Sequence, residues 1–143
     1  MNNFNPTEKK FENHIEKYLN SIEYKSIHYE KYDRTLCLVK DEVLDFIKKT
    51  QKDSWVKLLE IYGNDTENKV INRISSEISR RGVIDVLRNQ VSDRSVHLDL
   101  CYFEPKSDLN PDHLSLFKSN KFSLVRQFHY STKNENSIDM GLF

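Results

Sequence analysis

Apolar residues recur at intervals of three and four along the front of the chain and at every second position near its end, so the pattern predicts helices first and strands last. Asn5-Pro6-Thr7-Glu8 reads as a helix start, with Asn5 as the N-cap, Pro6 at the first helical position and Glu8 reaching back as in a capping box. Phe11, Ile15, Tyr18, Leu19 and Ile22 then form one apolar face, with Glu12 and Glu16 at its border or in solvent. Residues 24–34 lack clean periodicity and predict an irregular connection with a short strand at 26–28. A second helix, capped by Asp33 or Thr35, buries Leu36, Val39, Val43, Phe46 and Ile47 and ends at 51–53. Trp55, Leu58, Leu59 and Tyr62 predict a short helix that Gly63 stops. Asp65 caps a third long helix, through Val70, Ile71, Ile74 and Ile78, which Arg80-Arg81-Gly82 closes with cations at the negative end of its dipole.

Residues 83–89 form a short helix or extended turn. The alternation over 96–103 predicts a strand with Val96, Leu98, Leu100 and Tyr102 on one side. Pro105 and Pro111 bracket a loop, and Asn110 caps a short helix over 111–118. Two strands close the chain, joined by a polar loop, the second running over 137–143. Ile138, Met140 and Leu142 fall on one face of it, which sets Asp139 off the apolar side. Its continuous apolar side has no cap, charge or proline to protect an edge, so the sheet is expected to continue in a longer polypeptide or to be covered. The expected class is α+β, a helical part followed by strands of a mixed sheet, over residues 1–143 as a single domain or a fragment of one.

The charge balance narrows the function classes. Lys and Arg number 22 against 22 Asp and Glu, which argues against a histone-like electrostatic binder but leaves room for a local basic groove. With 37% hydrophobic and 31% charged residues the chain is polar but has the composition of a folded domain. No apolar run approaches the roughly 20 residues of a membrane span, and no secretory leader pattern is present, so a cytoplasmic protein is expected. Cys37 and Cys101 lack metal-ligand spacing and read as buried free thiols. His14, His28, His97, His113 and His129 likewise form no ligand set. The chain has no Gly-rich phosphate loop, so ATP binding is not encoded in it.

The succession Thr50-Gln51 with Trp55, Arg80-Arg81-Gly82-Val83-Ile84-Asp85-Val86-Leu87-Arg88, Cys101-Tyr102-Phe103-Glu104-Pro105-Lys106-Ser107-Asp108-Leu109-Asn110-Pro111, Arg126-Gln127 with Tyr130-Ser131, and Ser137-Ile138-Asp139 resembles a known family. It is similar to the N-terminal region of the restriction (R) subunit of type I restriction-modification enzymes, over residues 11–143. The resemblance implies a partial PD-(D/E)xK nuclease fold, the restriction endonuclease-like fold. In the full subunit it implies Mg²⁺-dependent endonuclease cleavage of double-stranded DNA coupled to an ATP-driven motor, with methyltransferase (M) and specificity (S) subunits as partners.

By that resemblance Asp139 is a metal ligand, and Glu12 matches an acidic position placed near the metal in nucleases of this class. The family's E-x-K strand would follow Phe143, so residues 1–143 alone are expected to be inert: phosphodiester hydrolysis needs at least two carboxylates on the metal and a nearby lysine. Gly141, where the family has a larger apolar residue, is expected to loosen strand packing. Arg80, Arg81 and Arg126 are candidate contacts to DNA phosphates, against helix caps and ion pairs as the plainer use. Trp55, Tyr102 and Phe103 have the spacing of core residues. The alternative function is a non-catalytic DNA-binding or subunit-docking module in which Asp139 is incidental.

Overall fold

The computed structural model describes residues 6–143. The proposed N-cap Asn5 lies outside them. In chain order the elements are α1 (Pro6–Ser21), β1 (Tyr24–Ile27), β2 (Tyr32–Asp33), β3 (Leu38–Val39), α2 (Lys40–Thr50), α3 (Lys52–Tyr62), α4 (Thr66–Arg81), α5 (Val83–Asn89), β4 (Val91–Asp93), β5 (Val96–Leu98), α6 (Pro111–Lys118), β6 (Phe122–His129) and β7 (Ser137–Leu142). The architecture is mixed α+β. The described residues pack as two compact units, one made of residues 6–34 with 121–143 and the other of residues 35–120.

The second unit carries most of the apolar core. Leu44, Phe46 and Ile47 of α2, Trp55 and Leu58 of α3, and Val70, Ile71 and Ile74 of α4 pack with Val86, Val91, Val96 and Leu98. The helical periodicity read from the sequence lies behind this, since each helix turns one stripe inward. Gly82 ends α4 at φ 84° and ψ 154°, a conformation close to glycine-only, and its N–H donates to the Ile78 carbonyl. Gln51, between α2 and α3, uses its side chain as a strand would use its backbone. Its amide donates to the Asp99 carbonyl and its Oε1 accepts from the Asp99 N–H, both at 2.8 Å. Asn110 caps α6 as expected, accepting from the N–H groups of Asp112 and His113.

Several expectations need correction here. The second helix begins at Lys40, so Leu36 precedes it and neither Asp33 nor Thr35 caps it. The strand expected over 96–103 shortens to Val96–Leu98 and pairs antiparallel with β4, which was not foreseen. β4 is three residues long, too short for alternation to register. Cys37 is exposed, in a turn at φ 57°, and Cys101 is half-buried, with its thiol pushed up by desolvation. Phe103 is exposed, while Trp55 belongs to the core and Tyr102 packs against it.

The first unit is a three-stranded sheet in the order β1-β6-β7, with β1 parallel and β7 antiparallel to β6. Leu124, Val125 and Phe128 of β6 are buried, as befits the central strand. The short strand expected at 26–28 is β1, two residues earlier. Helix α1 departs most from its prediction: Phe11, Tyr18 and Ile22 are exposed, and the buried side chain is Glu12. The physical reason lies on β6, where Arg126 offers a partner that makes burial of a carboxylate tolerable.

On β7, Ile138 and Leu142 are half-exposed, so the apolar face read from alternation is only partly covered by described residues. Gly141 also does something other than loosen the strand. A Cβ there would meet Phe143 at 3.0 Å and Phe128 at 3.2 Å, so the missing side chain is what lets the two rings pack edge to face, 5.1 Å apart.

Candidate metal centre

Glu8 and Glu12 stand four residues apart on α1, a spacing that places both on one face of the helix. Asp139 lies in the middle of β7. One carboxylate oxygen from each of the three comes within 4.8 Å of the others, with Glu12 buried and Glu8 and Asp139 exposed. Two of the three, Glu12 and Asp139, are the acidic residues singled out by the sequence. Glu8 was read only as a cap; its position one turn before Glu12 was the signal available to find it.

Arg126 braces the inner carboxylate. Its Nη2 donates to Glu12 Oε2 at 2.5 Å, and its Nη1 to Glu16 Oε2 at 3.0 Å and to Asn13 Oδ1 at 2.7 Å. The Glu12 hydrogen bond raises the affinity of this guanidinium for its proton above the ordinary arginine value, against a smaller opposing effect of burial. Glu16 is fixed in turn by the Ser26 hydroxyl, which donates to its Oε1 at 2.6 Å. Arg126 is therefore engaged with helix α1 rather than free in solvent.

Beside it, Gln127 stands opposite Asp139 in the register of β6 and β7 but is absent from the run of paired residues. Its φ of 50° takes it into the left-handed region that side chains other than glycine enter at a cost. Its amide nitrogen lies 3.5 Å from Glu12 Oε1. Arg126, Gln127 and Glu16, with Ile27, His28, Tyr29 and Leu124, line a hollow of about 250 Å³.

The donor set is all carboxylate oxygen, the chemistry hard divalent cations take. Oxygens bound to Mg²⁺ at about 2.0–2.1 Å lie no more than about 4.2 Å apart, and the three carboxylate oxygens here lie within 4.8 Å of one another, so the donor chemistry suits the ion. With Oε2 given to Arg126, Glu12 has Oε1 as the oxygen it can turn to a cation.

The remaining sequence candidates lie on the second unit. Arg80 and Arg81, at the end of α4, converge on the buried carboxylate of Glu77 at 2.7 and 3.0 Å. Arg73 reaches the same group from one turn earlier, at 3.4 Å. Arg81 also holds Asp85 at 2.5 Å and donates to the Gln90 carbonyl. The hydrogen bonds from Arg80 and Arg81 hold the Glu77 carboxyl down at about 2, against an ordinary value near 4.5. Of the histidines, His97 shares a hydrogen bond with Ser92 and His129 lies 3.6 Å from Glu135.

No family model matches the sequence, and neither a curated protein nor a solved structure matches it. Among the described residues, no helix is long and apolar enough to cross a membrane.

Proposed function

We propose that these residues are the front part of the nuclease domain of a type I restriction enzyme R subunit, with a PD-(D/E)xK fold and Asp139 and Glu12 as metal ligands. The observation that carries the reading is the meeting of Glu12 with Asp139: two acids 127 positions apart in sequence, both implied as site residues by the family resemblance, share one locus. A helix bearing a glutamate beside a sheet bearing an aspartate is also the arrangement that the motif resemblance implies.

Asp139 and Glu12, with Glu8 beside them, would hold Mg²⁺. When bound, the ion polarises a phosphodiester and lowers the pKa of a water. The chain's own residues supply the rest of the local geometry: Arg126 fixes Glu12 and keeps a buried carboxylate compensated, and Gln127 stands against its second oxygen. By the resemblance, a further carboxylate and a lysine of an E-x-K strand would complete the site. On this reading the substrate is double-stranded DNA, with methyltransferase and specificity subunits as partners, an ATP-driven motor elsewhere in the subunit and the cytoplasm as the setting. Of the three arginines, Arg80 is the proposed contact to DNA phosphates, while Arg81 and Arg126 are committed to carboxylates.

The test is cleavage of plasmid DNA by the product of the intact source gene, assembled with its M and S subunits and supplied with Mg²⁺ and ATP. Asp139→Ala is expected to abolish cutting and leave ATP hydrolysis in place. Cutting at the normal rate by that variant refutes the assignment. The second reading, a docking or DNA-binding module, draws on the half-exposed Ile138 and Leu142 of β7. It is selected if the assembled protein binds its partners and never cuts.

A further inference from the structure

The end of α4 contains more positive charge than its salt bridges use. Glu77 is buried, and a buried carboxylate needs a cation beside it. Here it has three: Arg73, Arg80 and Arg81 all lie within salt-bridge distance, and Asp85 is bridged to Arg81 and feels Arg80 at longer range. Three guanidiniums thus face two carboxylates, and one positive charge is left over. The surplus sits at the surface. Arg81 is mostly covered, with 19% of its side chain exposed, whereas Arg80 and Arg73 expose 67% and 45%.

Both exposed guanidiniums are already held in place. Arg80 makes a two-pronged contact with Glu77, from Nε at 3.3 Å and Nη2 at 2.7 Å. Arg73 donates from Nε to the Ser92 carbonyl at 3.0 Å and reaches Glu77 Oε1 at 3.4 Å through Nη2. An arginine fixed by one edge of its planar fork loses less side-chain entropy when it binds an anion with the other. The two groups come from the turns of α4 on either side of Glu77 and are both exposed, so one helix offers two fixed cationic contacts.

We propose that Arg73 and Arg80 form a preorganised phosphate-contact pair for the backbone of a nucleic acid, positioned by Glu77, with Arg81 as a structural member that stays on the protein. Arg73 is a residue the sequence did not single out. The choice of nucleic acid over another polyanion rests on the nuclease reading above, but the contact itself requires no metal.

The experiment is binding of the 143-residue chain to a short DNA duplex in EDTA, followed by fluorescence anisotropy over a range of salt. Each phosphate contact contributes a slope of about −0.9 to log K against log salt. Arg80→Gln and Arg73→Gln are each expected to weaken binding and to flatten the slope by about that amount. Arg80→Lys, which keeps the charge and is the safer variant for folding, is expected to keep the slope and lose affinity with the fork. An acidic peptide competing as well as DNA at equal charge would overturn the nucleic-acid assignment. Unchanged affinity and slope in folded glutamine variants, unchanged affinity in the lysine variant, or no duplex binding by the wild type at low salt would overturn the pair. Failure of the carboxylates to bind metal would sink the nuclease reading and leave these measurements standing, so the two failures are distinguishable.

Discussion

Glu77 shows how much one side chain organises. It is a carboxylate inside the protein, and three arginines make that position tenable. Because its folded pKa, about 2, lies below the ordinary 4.5, the unfolded chain takes up its proton first as pH falls. The stability it contributes is therefore present in full above about pH 4.5 and is lost as pH falls toward 2. Melting temperatures of wild type and Glu77→Gln should differ by a constant amount at neutral pH, with the wild type higher, and converge over that acid window. A pH-independent difference would show that Glu77 acts through packing alone. Gly82 makes a second residue-scale prediction. Its φ of 84° and ψ of 154° suit glycine, so Gly82→Ala should cost about 1–3 kcal/mol in denaturant unfolding.

The elements differ in how far the sequence disclosed them. Helices α3, α4 and α6 were legible because their apolar stripes, their glycine stop signals and the Asn110 cap are local facts. Ile74 of α4 is fully buried, and Ile74→Ala should cost about 2–5 kcal/mol, read from the shift in urea midpoint at constant slope. A cost under half that would mean the core refills around the gap. Helix α1 was legible as a helix and misread in its orientation. Its apolar residues predicted one buried face, but the ion pair from Glu12 to Arg126 joins positions 114 apart, and no periodicity carries information of that range. β5 was legible from its alternation, though shorter than read, whereas its partner β4 was missed because three residues are too few to show a pattern. The candidate site divides the same way: Asp139 lies in a quoted motif, Glu12 came from the resemblance, and Glu8 had a signal in its spacing from Glu12, whereas the left-handed Gln127 emerged only once the strands were paired.

For the molecule as a whole, the sheet unit holds Glu12, Asp139 and Arg126, while the helical unit holds Arg73, Arg80 and Arg81. The metal proposal belongs to the first unit and the phosphate-contact pair to the second. The central claim is that Glu12 and Asp139 share a divalent cation, and its most direct test is a Mn²⁺ titration of the 143-residue chain followed by electron paramagnetic resonance. One saturable site is expected in the wild type, displaced by Mg²⁺ and abolished by Asp139→Asn and by Glu12→Gln, with circular dichroism spectra unchanged. Equal Mn²⁺ binding by wild type and both variants, or none by the folded wild type, would contradict the account.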